Sequence, residues 1–112
     1  MNKLYTKLAQ IFFHYNAKNF KIKHSDYADV LNVDEKFDDE QLKWCKKYVD
    51  IVDEALSKLD KYERQLIEHV YIKCLPKNEL PYSLATYYYK RNKALKKLNS
   101  LLISNDFLNS NI

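Results

Sequence analysis

With 112 residues, the chain is long enough for one hydrophobic core and too short for two. An apolar fraction of 46% and an aromatic fraction of 14% exclude a disordered chain. The formal charge is only +4, but residues 1–25 hold five Lys and no acid, whereas residues 26–79 hold fourteen acids against nine bases.

The first predicted helix spans Lys3–Lys18, with Leu4, Leu8, Ile11, Phe12 and Tyr15 at helical spacing. An acidic stretch follows, Ser25–Glu40, in which Tyr27, Val30, Leu31 and Val33 suit a short helix. The second long helix starts at Asp38 or Asp39, either of which suits an N-cap, and carries Leu42, Cys45, Val49, Val52, Leu56 and Leu59. Asp60 with Glu63 three residues later fits a capping box that opens a third helix, through Leu66, Val70 and Tyr71 to about Lys73. Pro76 and Pro81 interrupt the chain, and Ser83 opens a last long helix reaching about Ile103. The class is therefore all-α, with four to five helices. Residues 1–59 form a helical platform, 60–103 the second half of one compact domain, and 104–112 a flexible tail.

Several chemistries find no support. The chain has no Gly, so a left-handed residue must come from another type such as Asn, and phosphate-cradling glycine loops are disfavoured. Cys45 and Cys74, with His14, His24 and His69, match no zinc spacing and read as two reduced cysteines. Asp38, Asp39 and Glu40 are adjacent, and adjacent positions on a helix diverge, so they read as a solvated acidic terminus. No nucleophile motif is present. The reading is a non-enzyme without metal or cofactor. The Lys-punctuated N-terminus lacks the apolar run of a signal peptide, and no stretch has transmembrane length, so a cytoplasmic protein without membrane contact is expected.

The last helix carries the strongest functional signal. From Leu80 to Asn105 there is no acid, while Lys90, Arg91, Lys93, Lys96 and Lys97 crowd one helical stretch. Projected at about 100° per residue, Leu84, Tyr87, Ala94, Leu95, Leu98, Leu101 and Leu102 gather on one side. Ala85, Thr86, Tyr89, Asn92, Lys93 and Lys96 take the other, with Tyr88, Lys90 and Lys97 on the flanks. Small and polar groups first and lysines later suit a helix whose first turns reach base edges and whose later turns follow phosphates. The bland reading is a solvated leucine-and-lysine helix, with Tyr87 in the core and Tyr89 as the surface tyrosine.

Two stretches carry a resemblance. Asp60 to Tyr71, with Glu63-Arg64-Gln65-Leu66-Ile67, and Tyr82 to Leu98, with Tyr-Ser-x-x-Thr-Tyr-Tyr, a basic run and Ala-Leu-x-x-Leu, resemble the helix-turn-helix region of ArpU-type phage transcriptional regulators. More distantly they are similar to region 4 of bacterial sigma factors. The resemblance covers about a third of the chain. Lys73–Leu80 is about one turn shorter than the usual linker plus middle helix, and Pro81 stands where the family often has Gly. Either a middle helix or a shortened turn can occupy that segment.

The resemblance implies a double-stranded DNA-binding regulator of transcription, with residues 60–103 as its helix-turn-helix-like DNA-binding region and its recognition helix following Ser83. The DNA-contacting set would be Ser83, Ala85, Thr86, Tyr88, Tyr89, Lys90, Asn92, Lys93, Lys96 and Lys97, with Asn92 as the adenine reader. The platform would serve a homodimer or contact RNA polymerase. The alternative is a helical interaction module, without DNA binding, whose basic last helix docks an acidic surface; a third option is that this helix covers the chain's own acidic middle. Arg91 projects into the apolar stripe of the last helix and Glu63 into that of the third, which predicts an ion pair joining the two.

Overall fold

The computed structural model describes residues 3–31 and 39–110, with side chains over residues 6–24 and 40–110. Among these residues every regular element is helical. Helix α1 spans Lys3–Leu31, α2 Asp39–Ser57 and α3 Lys61–Ile67, which runs on into a π-helical turn, Glu68–Ile72. A single 3-10 turn, Lys77–Glu79, then leads to α4, Leu84–Leu102, and a short α5, Asp106–Ser110.

Periodicity explains the packing. α1 buries Leu8, Ile11, Phe12 and Tyr15; α2 buries Cys45, Tyr48, Val49, Val52, Ala55 and Leu56. Both sets repeat at three and four residues, so each helix turns one stripe inward. Two tyrosines fasten the stripes together. The Tyr48 hydroxyl donates to the Ile11 carbonyl at 3.2 Å, and that of Tyr15 donates to Asp53 Oδ1 at 2.6 Å. Burial pushes the Tyr48 phenol up to about 12, so it stays a neutral donor. α4 closes the core with Tyr87, Ala94, Leu95, Leu98 and Leu102, packing on α1, α2 and α3.

The fold departs from the sequence reading in four places. α1 continues past Lys18 to Leu31, so the first part of the short helix expected at Ser25–Glu40 belongs to α1. Residues 32–38, including Asp38 as a cap, lie outside the described residues. α2 ends at Ser57, and Leu59 reaches the core from a turn instead. The tail expected to be flexible forms α5, because Asn105 Oδ1 accepts the Leu108 amide at 3.0 Å and Leu108 is fully buried. The Trp44 and Phe107 rings stack at 5.1 Å and 4°, fastening α5 to α2. Finally, Leu84 and Leu101, grouped with the apolar stripe, are exposed; Leu84 stands in the first turn of α4, beyond the end of the core.

Among the described residues of this glycine-free sequence, the one with positive φ is Cys74, with φ 54°. Cys74 follows the π turn and lets the Leu75 amide reach back to the His69 carbonyl at 2.9 Å. A side chain there meets its own carbonyl, at a cost that glycine avoids. Cys74 is exposed, so little packing is lost by removing it. Cys74→Gly is expected to raise stability by up to about 1 kcal/mol in thermal or urea unfolding, and Cys74→Val to lower it.

Candidate nucleic-acid interface

Ser83 sets where α4 begins. It has extended backbone (φ −62°, ψ 159°), its Oγ accepts the Thr86 amide at 3.2 Å and donates to Thr86 Oγ1 at 2.9 Å. From that start, burial of Tyr87, Ala94, Leu95 and Leu98 fixes the rotation of α4. The outward stripe is then Ala85, Tyr89, Lys93 and Lys96, all exposed, with Thr86 beside it. Tyr89 is 70% exposed, whereas Tyr87 is in the core.

The flanks are more constrained. Lys90 Nζ lies 5.5 Å from the Tyr62 ring centre and 5.4 Å from that of Tyr82, so its ammonium is held by two aromatic rings. Lys77, from the 3-10 turn, donates to the Tyr88 hydroxyl at 2.7 Å. That bond, then the charges of Lys77 and Arg91, holds the Tyr88 phenol below its ordinary value. His69 Nε2 sits 2.8 Å from the Pro76 carbonyl and fixes the turn that carries Lys77. Lys77, Tyr62 and Tyr82 were absent from the expected set. Their approach depends on the shape of the loop, which no helical spacing encodes.

The expected Glu63–Arg91 pair does not form. The half-buried Arg91 places its guanidinium 4.8 Å from the Tyr88 ring centre and donates from Nε and Nη2 to Asn92 Oδ1, at 3.3 and 3.0 Å. Glu63 instead accepts from Lys97 Nζ at 2.7 Å. Arg91 precedes Lys97 by six residues, about 9 Å along the axis, so the projection gave the side of α4 and missed the level at which α3 crosses it. Two further assignments change with it. Lys97 is committed to a carboxylate, and the Asn92 carbonyl needed for adenine already accepts from Arg91.

Glu63 is only 3% exposed, and its Oε1 also accepts the Asp60 amide while Asp60 Oδ1 accepts that of Glu63. This is the expected capping box, now tied to α4. Glu63→Ala removes both functions and is expected to destabilise by about 1–2 kcal/mol, whereas Arg91→Ala should leave the melting temperature much closer to the parent.

The hydrogen bond from the Glu63 amide holds Asp60 below its ordinary 3.8. The bond to Glu63 holds Lys97 above its ordinary 10.5. A lowered acid stabilises the fold above 3.8 and loses that contribution as pH falls through its folded value. A raised base stabilises below 10.5 and loses it as pH rises through its folded value. Asp60→Asn, which keeps a capping oxygen, should therefore flatten the acid limb of a stability–pH curve and leave the alkaline limb in place.

Among the described residues, no three His, Cys, Asp or Glu side chains converge as a metal ion would require, and no helix is long and apolar enough to cross a membrane. No family model matches the chain, and neither a curated protein nor a solved structure does.

Proposed function

We propose that this chain is a duplex-DNA-binding regulator of transcription that reads DNA with the outer face of α4. The observation that carries the reading is the stripe Ala85, Tyr89, Lys93 and Lys96, fully outward on a helix whose other side is core and which contains no acid. Its first turns are slim enough to approach base edges, and its lysines follow at phosphate-tracking positions. The resemblance of Asp60–Leu98 to phage regulators of the ArpU type adds to this. In the proposed arrangement α3, the turn Lys77–Glu79 and α4 stand in for a helix-turn-helix, with one 3-10 turn where a middle helix would be.

Ala85, Thr86 and Tyr89 would meet bases, Lys90, Lys93 and Lys96 would meet phosphates, and Arg91 with Asn92 would act as one unit at the margin. α1 and α2 supply the platform on which α4 is held. The alternative, a basic helix that docks an acidic protein surface, draws on the Lys97–Glu63 pair, in which one lysine of α4 already takes a carboxylate.

Fluorescence anisotropy with mixed-sequence duplex DNA across a salt series separates the two. Three phosphate contacts give a log–log slope of about −2.7, from roughly −0.9 per phosphate. Lys93→Ala or Lys96→Ala should each make the slope shallower by about 0.9, whereas Lys97→Gln should leave it unchanged. No binding at low salt, or binding indifferent to salt, favours the protein-docking reading.

A further inference from the structure

α1 buries one apolar face and leaves a second one outside. Leu8, Ile11, Phe12 and Tyr15 lie in the core, whereas Phe13 and Phe20, on the other side of the helix, are each 69% exposed. The two rings are one heptad apart, about 10 Å along the axis, with the small residues Ala9 and Ala17 on the same side. Their ring neighbours belong to α1 itself: His14 meets Phe13 edge-on at 5.5 Å, and His24 stacks on Phe20 at 6.0 Å. Exposed Lys21 and Lys23 follow Phe20 closely in the helix, and residues 1–25 contain no acid. Lys18 is turned the other way, with Nζ 4.7 Å from the Tyr48 ring centre.

We propose that this face of α1 docks an acidic amphipathic helix of a partner protein, whose apolar stripe covers Phe13 and Phe20 and whose carboxylates meet Lys21 and Lys23. The heptad spacing of the rings suits an opposing helix, which repeats its own apolar positions at the same interval, and the alanines leave recesses for its side chains. Charge complementarity selects the occupant. A second copy of this chain would bring the same lysines to the seam, with no acid before Asp26 to meet them. A lipid surface is served by a broad band of bulky side chains, whereas this stripe has two rings and its back is committed to the core. Duplex DNA offers phosphates to the lysines but nothing that takes phenylalanine rings out of water at this face.

The test uses the full-length chain and a fluorescein-labelled synthetic helix of about three heptads, with Leu at the a and d positions and Glu at e and g, a charge pattern that discourages pairing with itself. Saturable anisotropy is expected, weakened about tenfold or more by Phe13→Ser together with Phe20→Ser, and likewise by Lys21→Glu together with Lys23→Glu. All four side chains are exposed, so circular dichroism of the variants should match the parent. Lys93→Ala with Lys96→Ala should leave peptide binding intact, whatever it does to DNA binding, which separates this face from that of α4. The proposal is overturned by no binding, by equal binding of a Lys-flanked peptide, or by binding that survives the phenylalanine substitutions. Self-association in sedimentation, or capture by phosphatidylserine vesicles, would equally overturn it if either is abolished by those same substitutions, since the occupant would then be a second copy or a lipid surface.

Discussion

One oxygen joins the two halves of the candidate interface. Glu63 Oε1 accepts the amide that begins α3 and, at 2.7 Å, the ammonium of Lys97 from α4. Because both bonds share an acceptor, the start of α3 and the later turns of α4 cannot slide independently. The other oxygen, Oε2, is buried and has no hydrogen-bond partner among the described residues, so the junction carries a desolvation cost alongside its two bonds. The half-exposed Lys97 offsets part of that cost while keeping contact with water. The buried residues from Tyr87 to Leu102 set the rotation of α4, and with it the outward position of Tyr89, Lys93 and Lys96, while this junction sets the level at which α3 crosses it.

The connection between the two helices is shaped by what the sequence lacks. Without glycine, the left-handed turn after the π segment falls to Cys74, and Pro76 and Pro81 leave room for only one 3-10 turn between them. That short turn is nevertheless well held, by His69 on the Pro76 carbonyl and by Lys77 on the Tyr88 hydroxyl. The approach to α4 is thus lined by Lys77, Lys90 and Arg91 packed against Tyr62, Tyr82 and Tyr88. Cations held on aromatic faces lose fewer side-chain states when a phosphate arrives than cations free in solvent, which favours binding.

Local signals in the sequence were readable, and contacts between elements were not. Asp60 with Glu63 and Ser83 with Thr86 act within four residues, so type and spacing were enough to locate the starts of α3 and α4. Tyr87 was placed in the core by the same helical period that placed Leu95 and Leu98. The partner of Glu63 was missed because helical projection reports angle and carries no axial coordinate. Lys77 on Tyr88 depends on a loop, and the stacking of Phe107 on Trp44 joins α5 to a helix far earlier in the chain. In each case the missing information is the relative placement of two elements, which side-chain volume in the core decides.

The uneven charge along the chain acquires a physical meaning from these contacts. Four acids of the middle segment have partners within the fold: Asp53 accepts from Tyr15, Asp60 caps α3, the buried Glu63 receives Lys97, and Glu68 of the π-helical turn pairs with Arg64 on the surface at 2.9 Å. The charge of Glu63, buried against Lys97, is the one least screened by salt. Lys21 and Lys23 on α1, and Lys93 and Lys96 on α4, stay exposed. A mild net charge therefore coexists with two outward basic faces, one carrying two phenylalanine rings and one carrying Ala85, Thr86 and Tyr89 ahead of its lysines. If both proposals hold, the difference between those faces would direct them to different partners: phenylalanine rings need a surface that removes them from water, whereas Ala85 and Thr86 would leave the start of α4 narrow enough to enter a groove.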